Sequence, residues 1–392
     1  MPTHHATLGP SGASRWLKCP ASIKMSQRVP KQESSVFAQE GTMAHELGEI
    51  RAGRYFGLIS EEEFMKKYAA WKKEFQEHYG DDAPRAAEMN HHIDGYIQLI
   101  EKRAALHRGS SIALEQRLET GVPGSWGTSD VVIVSPEHVE IIDLKYGSGV
   151  SVDAAWNPQL MLYGVGALDA YGDLLGDTEV VYTTVYQPRI GNTSTFEISP
   201  TDLRAWRDWH VIPLAEEALS DNARFGPDPT ACRWCPAAGI CKPRMEKNLA
   251  ADFGDEEDYS VISPERLADI LEKAPEWKAW LTAVENSALD RAYSQGEEIP
   301  RHKVVLSGGR RVIEDSTAAI QTLIDHGFPA EKVATFKVKG LGDLEKLVGG
   351  RDELHDMLGG LINKTTGKPS LVKESDKRPA ITPNSSAADD FK

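Results

Sequence analysis

The stretch from Gly127 to Gly147, GTSDVVIVSPEHVEIIDLKYG, decides how the chain reads. Two β-branched runs, VVIV (131–134) and VEIIDLKY (139–146), flank Ser135-Pro136-Glu137-His138, and that pattern predicts a β-hairpin. Folded symmetrically about the loop, Val134 faces Val139 and, counting outward, Asp130 faces Asp143. Opposed residues on antiparallel strands have Cβ atoms ~4.5–5.5 Å apart. Two carboxylates so placed repel unless something positive sits between them, and oxygen ligands suit Mg²⁺ or Mn²⁺. Lys145 follows Asp143 by two residues and so projects to the same side. An ammonium there can orient an attacking water or stabilise charge developing on a phosphate. An isolated Asp-x-Lys is ordinarily a solvated surface pair. Apolar runs on both sides weigh against that here, because charged residues in buried strands have a reason to be there.

Working outward, Ile112–Leu118 and Val180–Gln187 read as further strands, and Pro158–Ala170 as a helix with proline near its start. A helical stretch runs from Ser199 to Ala223. Upstream, residues 10–60 are helical in pattern through Trp16, Leu17, Ala44, Leu47 and Ile50. Residues 61–107 place Trp71, Phe75, Ile93, Tyr96 and Ile100 at helical spacings. Strands alternating with helices make residues 1–249 an α/β domain. An acidic linker over 250–262 follows, then a smaller α+β module over 263–375. The polar end, 376–392, is expected to be disordered.

A net charge of −15 argues mildly against a polyanionic partner. It does not decide the matter, because a bound divalent cation reverses the local potential at an acidic site. The start, MPTHHATLGP, lacks the apolar core of a signal peptide, and no run of ~18 apolar residues predicts a membrane span. The expected compartment is therefore reducing cytoplasm, where cysteines serve as metal ligands or buried thiols more often than as disulfides. The chain has four: Cys232, Cys235 and Cys241 in C-x2-C-x5-C spacing, and Cys19 far upstream. Four thiolates can complete a zinc site or hold a [4Fe–4S] cluster, and spacing alone does not separate the two.

The Gly127–Gly147 run resembles the core of PD-(D/E)xK nucleases of the RecB class, a group that includes CRISPR-associated iron–sulfur nucleases and phage exonucleases. The resemblance spans roughly residues 10–245. It implies a restriction-endonuclease-like mixed central sheet flanked by helices. It also implies an upstream helix with a histidine, supplied by His45 in GTMAHELGE, and a Q-x-x-x-Y helix, supplied by Gln159 and Tyr163. Glu115 in ALEQRLE is the weaker match for a further acid. On this reading His45, Asp130, Asp143 and the Leu144 carbonyl hold the metal, Lys145 assists the water, and Gln159 and Tyr163 position the substrate. One cysteine before the core and three after it match an iron–sulfur staple, which favours [4Fe–4S] over zinc. The implied activity is a metal-dependent DNA nuclease, with an exonuclease favoured, in phage-type recombination, repair or replication. The implied partners are DNA ends or single strands, together with a single-strand-binding or replication protein.

Two rival readings stand beside it: a catalytically inactive DNA-end binding or recruitment protein on the same fold, and a zinc-bound structural protein. Arg15, Lys18, Lys24, Arg233, Lys242 and Arg244 surround the cysteines and would form one basic patch if these segments meet. Trp16, Trp126, Trp156 and Trp234 read first as core, with base stacking as the second use. His91-His92 reads as helix surface. Gly367-Lys368-Pro369 is no P-loop, so no ATP motor is visible.

Overall fold

The computed structural model describes residues 6–30, 36–80, 82–176, 178–250, 264–305, 316–325, 329–333 and 340–358. Five strands, β1 (Ser111–Glu119), β2 (Trp126–Val134), β3 (His138–Leu144), β4 (Val180–Gln187) and β5 (Asn192–Ile198), lie side by side in sequence order. The β3–β4 pair is parallel and the other pairs are antiparallel, so the sheet is mixed. The hairpin forms in the register read from its sequence: Val134 pairs with Val139 and Val131 with Ile142. Its turn closes through the Ser135 N–H, which donates to the His138 carbonyl at 2.9 Å.

Helices cover both faces. On one, Val131, Ile133, Ile142 and Leu144 pack with residues from α1 (Val36–Tyr55), α2 (Glu61–Tyr79) and α3 (Ala83–Ala104), among them Leu47, Trp71 and Ile93. On the other, Val132, Val134, Val139 and Ile141 meet Leu160, Met161 and Val165 of α4 (Pro158–Ala170). Alternate residues of each strand thus enter different cores, which is why β2 and β3 read as continuous apolar runs. Each buried Val, Ile or Leu contributes roughly 1.5–3 kcal/mol, so a charge at Ile133 would cost both the burial and an unpaired ion.

Helix α4 makes the crossover that parallel strands require. Pro158 opens it, and the Asn157 side chain accepts from the Gln159 N–H and more distantly from that of Leu160. Gly166 lets it lie against β1: a Cβ there would stand 2.9 Å from the Glu119 carbonyl. A third core joins Leu8, Trp16 and Ile23 of the N-terminal segment to Leu162, Val211 and Ala215. The stretch expected as one helix over 199–223 is built as Pro200–Trp206, a π turn at Arg207–Val211, and Ile212–Leu219. Pro213 accounts for the break, because it lacks an N–H and its ring displaces the carbonyl of the preceding turn.

The chain divides into two compact units, 1–305 and 306–392. The helix Pro264–Tyr293, grouped with the C-terminal module in the sequence reading, falls in the first. The second unit is helical wherever it is described, at Ser316–Asp325, Ala330–Val333, Leu341–Val348 and Arg351–Leu358. No strand occurs among the described residues there, where an α+β module was expected. The acidic linker beyond Ala250 and the polar tail lie outside the described residues.

Candidate active site

Three neighbouring strands each carry an acid at the same level of the sheet. The β1–β2 register pairs Leu114 with Val131 and Gln116 with Ser129, which sets Glu115 opposite Asp130. Glu115 itself adopts a left-handed backbone, φ 46°, and the ladder skips that pair. Strain of this kind in a non-glycine residue persists only where its surroundings impose it. Between β2 and β3 the ladder stops at Val131–Ile142, and Asp130 Oδ2 instead accepts the Leu144 N–H at 2.7 Å. The two aspartates are therefore neighbours bridged through the Leu144 backbone rather than a directly laddered pair.

Among the described residues, His45, Glu115 and Asp130 form the compact ligand group, each offering an atom within 4.8 Å of the others. His45 reaches it from α1, with Nδ1 at 3.3 Å from Asp130 Oδ1. Asp143, Lys145 and Gln159 form a second, adjoining set closed on itself. Lys145 Nζ lies 2.8 Å from Asp143 Oδ2 and donates to Gln159 Oε1 at 3.0 Å. Gln159 Nε2 donates to Asp143 Oδ1 at 2.9 Å. That triangle fixes the amide orientation of Gln159 and holds the ammonium in place. Tyr163, one helical turn further along α4 and on the same helical face as Gln159, is buried.

The charges explain why the two sets adjoin. Burial opposes the imidazolium of His45, but Asp130 beside it, with Asp143 behind, overrides this and lifts His45 to about 9. Burial and the charge of Asp130 raise Glu115 to about 8. Burial works to raise Asp130 as well, yet His45 and the Leu144 amide hold it below the usual carboxylate range. Asp143 is pushed up, by burial first and by Asp130, against the pull of Lys145. Three acids thus face two cationic groups, and protons on His45 and Glu115 supply the positive charge that the cluster demands. A divalent cation meets the same demand, and one imidazole with carboxylate oxygens is a donor set for Mg²⁺ or Mn²⁺.

The cleft leading to this group is lined by Glu46, Glu49, Glu74 and Lys67 together with Arg15 and Trp126. Sequence reasoning filed Tyr96 with the helical core. Its hydroxyl is buried without a partner and lies in the field of Asp130, Asp143 and Glu115. Apolar spacing alone carries no signal for that. His92 is half-buried, with Nδ1 3.2 Å from the Tyr146 hydroxyl, while His91 is exposed.

The four cysteines converge. Cys19, Cys232, Cys235 and Cys241 line one small cavity with Phe225, Pro227 and Ala237. The Gly226 N–H approaches Cys19 Sγ at 3.4 Å, and the Ala21 N–H donates to the Arg224 carbonyl at 3.1 Å. Burial raises the thiols of Cys232, Cys235 and Cys241, so metal binding there would release protons. No three of the four sulfurs fall mutually within 4.8 Å among the described residues, whereas thiolates on one tetrahedral zinc at ~2.3 Å would lie closer together than that.

The basic residues around this corner do gather, but their charge is largely spent. Lys18 pairs with Asp228, Lys24 with Asp221, and Lys242 with Glu246. Arg15 donates to the Trp234 carbonyl, and Arg244 is buried against that of Ala238. The tryptophans separate as well. Trp16 is core, Trp126 is half-buried beneath the Arg117 guanidinium at 3.9 Å, and Trp156 and Trp234 are exposed.

No helix among the described residues is long and apolar enough to cross a membrane. A solved structure titled "Crystal structure of SSO0001" is similar to the chain at 19% identity, over 57% of this chain and 95% of that one, with a TM-score of 0.22. Residues 5–379 match the family described as "Protein of unknown function (DUF2800)", and the chain belongs to that family.

Proposed function

We propose that the protein is a metal-dependent deoxyribonuclease of the RecB-like PD-(D/E)xK type, working as an exonuclease on DNA ends or single strands. The observation that carries this reading is the closed Lys145–Asp143–Gln159 triangle set beside the His45–Glu115–Asp130 group. A structural ion pair needs only one partner. Here the lysine is held by two, next to an acidic set with more negative charge than it can neutralise.

His45, Glu115 and Asp130, with Asp143 and the Leu144 carbonyl adjoining, would hold Mg²⁺ or Mn²⁺, which when bound neutralises phosphate charge and acidifies water. Asp143 and Gln159 keep the Lys145 ammonium aimed, so that it orients the attacking water and stabilises charge gathering on the phosphate oxygens. Gln159 and Tyr163, on one helical face, would position the substrate. Glu46, Glu49 and Glu74, which line the cleft, would repel phosphate, so the substrate backbone is kept away from them.

We propose further that the four cysteines hold a [4Fe–4S] cluster as a staple. Four cysteines from two distant segments lining one cavity support a shared site for them. A brown protein with broad visible absorbance after anaerobic purification is the expected result. Colourless protein with stoichiometric zinc would replace the cluster by zinc.

The decisive experiment follows 5′- and 3′-labelled linear, circular and single-stranded DNA in Mg²⁺ or Mn²⁺. Degradation of linear but not circular DNA is expected, abolished by EDTA and strongly reduced in Asp143→Ala and Lys145→Ala. Intact DNA in every arm, with end binding retained, would instead establish a non-catalytic end-binding protein.

A further inference from the structure

Trp156 is 62% exposed, immediately before the helix that carries Gln159 and Tyr163. Its backbone is left-handed, φ 53°. Among the described residues only two others that are not glycine share that sign, Glu115 and Arg301, and Glu115 belongs to the cation-holding group. Glycine or asparagine would adopt this conformation with less strain. A bulky aromatic side chain that is both strained and left in water gains little for the fold.

The loop around it is nonetheless built rigidly. The Val152 N–H donates to Gln187 Oε1 at 2.7 Å, and Asn192 Nδ2 donates to the Val152 carbonyl at 2.9 Å. Ser194 Oγ bonds Asp153 Oδ1 at 2.6 Å and accepts the Ala154 N–H at 3.1 Å. Thr183 Oγ1 donates to the Ala154 carbonyl at 3.3 Å. The β4–β5 hairpin thus fixes the backbone on which Trp156 stands. The indole leans on Phe196 of β5, centroids 5.4 Å apart and planes at 44°, so one edge is propped while much of the ring faces solvent.

We infer that Trp156 is a stacking platform for an unpaired nucleobase of the strand being cut. The inference rests on the nuclease reading and deepens it by naming the substrate class. Gln159 lies three positions after Trp156, so the chain between them spans at most ~11 Å. A strand with its phosphate at Lys145 therefore has neighbouring bases within the platform's range. Bases in a duplex already stack on one another and present edges, whereas an unpaired base offers a free face. The platform therefore selects single strands or frayed ends, and it is sequence-tolerant because every base has such a face.

The test measures binding by anisotropy in Ca²⁺, with cleavage followed separately in Mg²⁺ and Mn²⁺. Fluorescent single strands are compared with blunt duplexes of the same length. Wild type, Trp156→Phe, Trp156→Leu and Trp156→Ala are used as full chains, each with its melting temperature recorded. Trp156→Leu keeps an apolar side chain on Phe196 but removes the large aromatic face. The expected result is single-strand binding weakened about tenfold or more in the Leu and Ala variants and largely retained in Phe, with duplex binding unchanged. Equal single-strand binding in wild type and Trp156→Leu, with wild type still cutting DNA, overturns the platform and leaves the nuclease intact. Equal weakening on single strands and duplexes makes Trp156 a general contact and also overturns it. A wild type that neither binds nor cuts removes the nuclease and the platform together.

Discussion

The two ends of β3 each bury an acid, and they treat it in opposite ways. Near the start, Glu140 is fully buried and its charge is matched locally: Arg103 Nε lies 2.7 and 2.8 Å from its two oxygens, and Thr184 Oγ1 donates at 2.7 Å. At the other end, Asp143 shares Lys145 with Gln159 and stands beside Asp130, Glu115 and His45, where acids outnumber cations. One strand thus carries a fully compensated carboxylate and an incompletely compensated one. A matched buried ion pair holds the fold in place. An unmatched acidic set keeps room for a cation from solution.

The largest effect that could break this contrast is at the matched end. Arg103→Ala should destabilise the protein by about 3–5 kcal/mol, because Glu140 is left buried without its counter-charge. Urea unfolding should show the same loss in EDTA and in Mg²⁺. Rescue by Mg²⁺ would mean that the two ends are not different in kind. At the unmatched end, Lys145→Ala should lower Mg²⁺-dependent cleavage on the order of 10²–10³-fold. Its stability should fall in EDTA and recover when Mg²⁺ is added, since a cation can stand in for the ammonium there.

A third expectation concerns His138, buried at the head of β3, with its Nδ1 on the Ser135 hydroxyl and its ring against that of His107. Burial, with the charges of His107 and Arg103, lowers it to about 4 from an ordinary 6.5. The folded state therefore holds it neutral. Its contribution is fully present above pH ~6.5 and is lost as the pH falls toward ~4, at ~1.4 kcal/mol per unit, or about 3 kcal/mol in all. His138→Asn, which keeps a hydrogen-bonding group near Ser135, should flatten the slope of unfolding free energy between pH 6.5 and 4. An unchanged slope would assign the acid sensitivity elsewhere. The smallest effect is that of Thr184→Val, which removes one of the two groups that donate to Glu140. It should cost about 1–2 kcal/mol in urea unfolding and leave cleavage per folded molecule unchanged.

Much of this could be read from the sequence where the signal was local. β-branched runs around a turn tetrad are enough to set the Val134–Val139 register, and i,i+4 spacing is enough to put Gln159 and Tyr163 on one helical face. What depended on distant pairing could not be read. Whether Glu115 meets Asp130 depends on how β1 slides along β2 across the intervening loop, and no residue in ALEQRLE announces the left-handed turn at Glu115. The partnership of Arg103 with Glu140 joins the last turn of α3 to a strand 37 positions on. The basic residues near the cysteines looked available because Asp221 and Asp228, which pair with Lys24 and Lys18, lie about two hundred positions away.

The Cys19 sulfur meets the Gly226 amide, 207 positions later in the chain. A ribosome adds roughly 5–20 residues per second, so on the order of 10–40 s pass between the emergence of the first thiol and the arrival of the backbone that encloses it. Throughout that interval the sulfur stands open to oxidants on a nascent chain. Biogenesis of this protein should therefore be sensitive to oxidative conditions during translation, well before the finished molecule has anything to protect.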